Sequence, residues 1–77
     1  MNSQPVDVLE RWMAGDSLPG VAYALNDSVR ITKGPHRGEL GAVITLLQLS
    51  PDPVYHVELG SDGNTIQFSQ SELERAA

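Results

Sequence analysis

Four side chains suited to meeting a ligand fall close together: Arg30, Lys33, His36 and Arg37. Three fixed positive charges, with no acid between Ser28 and Gly38, suit contacts to phosphate oxygens. Three such contacts give weak, salt-sensitive binding, and no aromatic residue stands among them to stack a base. The same cations can equally form a solvated loop paired with the chain's own carboxylates. The two histidines, His36 and His56, lack a third ligand at any recognised spacing, so neither a metal site nor a cofactor is expected. Asp52, Asp62 and Asn64 do not follow the ligand pattern of a calcium loop. There is no nucleophile elbow, phosphate loop or metalloprotease helix. A small domain also offers little concave volume for a substrate, so the expectation is a protein that is not an enzyme and has no catalytic residue. Trp12 and Met13 complete the candidates. They could anchor a protein partner, or they could cover the chain's own core.

These residues sit in a chain of 77, enough for one domain with one small core. Such a domain is held by a few kcal/mol. A hydrophobic content of 40% with 19% charged residues describes a chain that folds. Cysteine is absent, which removes disulfides, thiol chemistry and thiolate metal sites. No basic N-terminal region leads into a long apolar run, and no stretch of about twenty apolar residues occurs. A cytoplasmic location is the expectation. The net charge is −5. Its distribution is uneven: Arg30, Lys33 and Arg37 give +3 along one edge, against −8 for the rest.

The elements that must position the candidates follow from hydrophobic periodicity. Residues 3–15 predict a helix, capped by Ser3 or Gln4, with Pro5 in its first turn and Asp7 facing the positive end of the dipole. Val8, Leu9, Trp12 and Met13 make its apolar face. Asp16 to Gly20 is a turn, and residues 21–25 are a short strand or an extended lead-in. Alternation in residues 28–33 predicts a strand with Val29 and Ile31 inward and Arg30, Thr32 and Lys33 wet. Residues 34–38 form a loop. Residues 40–49 are apolar on both faces, with Val43, Leu47 and Leu49 on one and Ala42, Ile44 and Leu46 on the other. A strand of that kind needs cover on both sides, which places the helix over its outside. Residues 54–59 predict a third strand with Tyr55, Val57 and Leu59 inward. Asp62-Gly63 marks a hairpin turn into a fourth, residues 65–68, with Ile66 and Phe68 inward. Ser69 and Glu72 have capping-box spacing, so residues 69–75 predict one or two short helical turns.

The spacing Val29-x-Ile31-x-x-Gly34-x-x-x-Gly38-x-x-Gly41-x-Val43 resembles the KOW motif, the first hairpin of an SH3-like barrel found in some ribosomal proteins and transcription elongation factors. The match covers residues 28–49, and barrel logic carries it through Phe68. The resemblance implies a mostly β fold: a small antiparallel SH3-like barrel over residues 21–77 behind an N-terminal helix. It also implies RNA contacts through the basic loop. Ribosomal members are basic, whereas this chain is acidic. A fifth strand should follow the helical turn, where few residues are left to make one. Either residues 21–25 supply that edge, or the barrel is incomplete and its edge pairs with a partner. The expected function is therefore a non-catalytic protein-interaction module, an accessory or regulatory subunit of a larger complex. A KOW-type RNA- or ribosome-associated module is the alternative. An accessory subunit of a redox enzyme is the third reading, by analogy of fold.

Overall fold

The computed structural model describes residues 5–76. In chain order these form helix α1 (Pro5–Met13), strands β1 (Ser28–Ile31), β2 (Leu40–Gln48), β3 (Val54–Leu59) and β4 (Thr65–Ser69), a 3-10 turn (Gln70–Glu72) and strand β5 (Leu73–Arg75). The strands make one antiparallel sheet in the order β4-β3-β2-β1-β5. Strands β4 and β5 are its two edges and do not pair with each other, so the sheet is not closed into a barrel. No described helix is long and apolar enough to cross a membrane. The proposed caps Ser3 and Gln4 lie outside the described residues.

Inward alternation builds the core. Val29 and Ile31 of β1, Tyr55, Val57 and Leu59 of β3, and Phe68 of β4 are buried as their periodicity requires. Leu73 of β5 joins them.

The middle of β2 departs from simple alternation. Val43 and Leu46 are the buried pair, while Leu47 and Leu49 are each 43% exposed. The pairing with β3 shifts between Val43 and Thr45 and again between Leu46 and Gln48. Each extra residue reverses which face the following side chains take. Sequence alternation put Val43, Leu47 and Leu49 together; the irregularity replaces that set with Val43 and Leu46.

This reversal also changes the role of the helix. Helix α1 lies against β2, but Trp12 enters the same core as the strands' inward residues, with Leu9 packed beside it. The outer face of β2 is not sealed, and Leu40 there is 51% exposed.

Residues 21–25 are not a strand. They run without regular structure between α1 and β1, enter a turn at residues 25 and 26, and are held by side chains. Trp12 Nε1 donates to the Tyr23 carbonyl at 2.8 Å, and Gln70 Nε2 donates to the Gly20 carbonyl at 3.1 Å. The Ala22 N–H donates to Gln70 Oε1 at 2.8 Å. The fifth strand is instead β5, paired to β1 in the register Val29↔Arg75, Arg30↔Glu74 and Ile31↔Leu73. The helical expectation for residues 69–75 is thus cut to one 3-10 turn. Its Glu72 carboxylate accepts the Ser69 N–H at 2.8 Å, the acidic half of the capping box. Three strand residues then suffice for the edge, because β1 already offers a paired template.

Candidate functional site

The loop between β1 and β2 carries the basic candidates, and glycine sets its path. Gly34 and Gly38 have φ of 82° and 92°, a backbone region that side chains with a Cβ enter at a cost. Gly41 serves a different need. A Cβ there would lie 2.7 Å from both the Glu58 carbonyl and Val57 Cγ1, so β2 and β3 approach too closely for any side chain. The Gly38 N–H then closes the loop onto the Ile31 carbonyl at 2.7 Å.

The four basic candidates do not form one patch of available charge. Arg30 is spent across the sheet: its Nη1 lies 3.0 Å from Glu74 Oε2, on the residue directly opposite it in β5. His36 is half-buried. Its Nδ1 lies 3.1 Å from Glu39 Oε2, and its ring meets Phe68 edge-on at 6.2 Å between centroids. Lys33 and Arg37 are exposed, and among the described residues no carboxylate pairs with either. The remaining arginines are engaged, Arg11 with Asp16 and Arg75 with Asp27. The +3 edge is therefore two available cations on one loop.

The same loop is fastened to the β3–β4 hairpin. Ser61 Oγ donates to Glu39 Oε1 at 2.8 Å, while His36 meets the carboxylate's other oxygen. The Ser61 hydroxyl, followed by the His36 ring, holds the Glu39 carboxyl below its ordinary value of 4.5. Together with the His36–Phe68 contact, this ties the loop to the β3–β4 turn and to the inward-facing ring of Phe68.

The two apolar candidates separate. Trp12 is 1% exposed and belongs to the core, while Met13, next in sequence, is 51% exposed. Met13 is the member of the pair that a partner can reach.

A second surface was hidden in the alternation. On the outer face of the sheet a groove of about 570 Å³ has a floor of small residues, Ser28, Ala42 and Ala76. Leu40 forms an apolar wall, and Arg30 and Glu58 put opposite charges on the rim. The outward positions of β1 were legible from the sequence, whereas the face of β2 that turns outward was not. That they would meet Gly60 and Ala76 around one hollow depends on strand order.

Among the described residues, no cluster of three or more metal-ligating side chains occurs. Every described buried side-chain nitrogen and oxygen has a partner. The strongest internal polar arrangement is structural. Tyr55 Oη donates to Gln70 Oε1, and Tyr23 Oη donates to the Leu73 carbonyl at 3.2 Å, with the two rings edge-to-face. Gln70 and Tyr23 had no motif to announce them; each is recognisable only once residues far apart in sequence are seen together. No protein-family model matches the chain, and no curated protein matches it in sequence.

Proposed function

We propose that this chain is a non-catalytic protein-interaction module, an accessory or regulatory part of a larger assembly, built as an incomplete SH3-like barrel of the KOW type that stays open between β4 and β5. For the fold, the support is the β1–β2 hairpin with its three glycines, each with a physical role, and a β1–β2 loop that bridges toward β4. The outer-face groove is the observation that carries the functional reading. Small residues and a half-exposed leucine lining it suit a side chain from another protein, and the Glu58 carboxylate beside them can orient it. Ala42→Arg fills that groove without touching the core. Affinity capture followed by mass spectrometry should recover a partner with the native chain and lose it with Ala42→Arg, while circular dichroism stays unchanged. Capture of no specific protein, alongside tight RNA binding, overturns the reading.

Lys33 and Arg37 favour one second reading, contact with RNA phosphates. Two contacts predict a log–log salt slope of only about −1 to −2. RNA binding that survives Lys33→Ala with Arg37→Ala rules it out.

A further inference from the structure

The two edges of the sheet are built differently, and one of them is unprotected. Strand β5 is three residues long, carries Glu74 and Arg75, and is tied down by side chains from both flanks. Strand β4 is five residues, Thr65-Ile66-Gln67-Phe68-Ser69, without a charge, a proline or a bulge in its pairing to β3. Charges, prolines and bulges are the devices that keep strand edges from recruiting another strand.

Hydrogen-bond parity identifies which groups are available. At one end of the hairpin Leu59 N–H donates to the Asn64 carbonyl at 2.8 Å, and at the other Gln70 N–H donates to the Pro53 carbonyl at 2.7 Å. Bonded pairs alternate in an antiparallel ladder, so Ile66 and Phe68 spend their backbone groups on β3. Thr65, Gln67 and Ser69 turn theirs outward. The Ser69 N–H is taken by Glu72, which leaves the N–H and C=O of Thr65 and Gln67 and the C=O of Ser69. The loop tied to the hairpin by Glu39–Ser61 and His36–Phe68, on the inward side of β4, carries Lys33 and Arg37, the two cations with no carboxylate partner among the described residues.

We infer that the β4 edge receives an extended acidic segment of a partner protein, which adds a sixth strand at Thr65 and Gln67 and sets its carboxylates against Lys33 and Arg37. The inference names the partner for the interaction reading above but uses a different surface from the groove. Backbone pairing supplies affinity without regard to sequence, and the loop supplies the preference for acid. A second copy of this chain is the poorer occupant. Its own β4 carries no charge to meet Lys33 and Arg37.

The test uses a blocked peptide of alternating glutamate and valine, eight residues long, with its lysine–valine counterpart as control. Binding is read by amide chemical shifts and hydrogen exchange on the intact chain. The acidic peptide should slow exchange at the Thr65 and Gln67 amides, with the lysine peptide at least about tenfold weaker. Gln67→Pro removes one outward N–H and no internal bond, a substitution that edge strands accept, and should weaken binding about tenfold. The double variant Lys33→Glu with Arg37→Glu leaves the edge intact and should reverse the preference toward the lysine peptide. Binding that leaves Thr65 and Gln67 exchange unchanged, or equal affinity for both peptides, overturns the inference. So does a sedimentation-detected dimer abolished by Gln67→Pro, which would assign the edge to a second copy. A native partner lost with Ala42→Arg but kept with Gln67→Pro would defeat the edge inference and leave the broader interaction reading standing.

Discussion

Gly41 and Ala42 are neighbours in β2, yet they answer to opposite faces of one sheet. At Gly41 the inner face is so close that a single methyl group meets backbone and side chain at 2.7 Å. One residue on, Ala42 looks into a groove wide enough to take a larger side chain. The inner face is fully committed to holding the fold, with Val29, Ile31, Val43, Tyr55, Val57 and Leu59 sealed from water. The outer face is built from small residues and paired charges that stability hardly needs. What the contrast teaches is that stability and recognition are separated here by parity, not by domain.

That separation can be broken most severely at Trp12. Trp12→Ala removes the largest inner side chain and its bond to Tyr23, at about 3–5 kcal/mol, comparable with the whole stability of a domain this small. Its thermal unfolding transition should disappear at 37 °C or below if the helix is part of the core, as described. Gly41→Ala should cost about 1–3 kcal/mol by forcing β2 and β3 apart, measured by denaturant titration. A neutral result at Gly41 would mean the inner face is looser than its spacing implies. Tyr23→Phe deletes only the hydroxyl bonded to the Leu73 carbonyl and should cost about 1 kcal/mol.

A pH dependence follows from the same face. Burial pushes the Tyr23 and Tyr55 phenols above their ordinary value of 10.0. Their neutral forms favour the folded chain, so stability is full below pH 10.0 and falls as pH rises through the raised values. Phenolate absorbance in the folded chain should therefore appear at higher pH than in the unfolded chain, checked by absorbance titration with and without denaturant. The smallest effect belongs to the outer face, where Ala42→Leu should change stability by no more than about 0.5 kcal/mol. A larger loss there would erase the distinction between the faces.

Much of this was readable beforehand because it is local. Alternation fixed Val29 with Ile31 and Tyr55 with Val57, and Asp62-Gly63 marked its hairpin. The spacing of Gly34, Gly38 and Gly41 identified a tight corner. The errors arose where a non-local partner decides. Leu46 turned inward because β3 shifts register against β2, which no periodicity in β2 itself announces. Residues 73–75 looked like the tail of a helix because nothing near them in sequence reveals β1 as their template. At the candidate site, the positions of Arg30, Lys33 and Arg37 were legible. Their availability was not, since Glu74 neutralises Arg30 from the far end of the chain.

The placement of β5 has a consequence in time. Tyr23 and the Leu73 carbonyl it binds are 50 residues apart, and at ordinary rates of translation roughly 3 to 10 s separate their synthesis. Until Leu73 is made, β1 has β2 as its one neighbour and an exposed edge, and the Tyr23 hydroxyl lacks its partner. The nascent chain therefore waits, with its β1–β2 hairpin half-clad, for three residues made well after it.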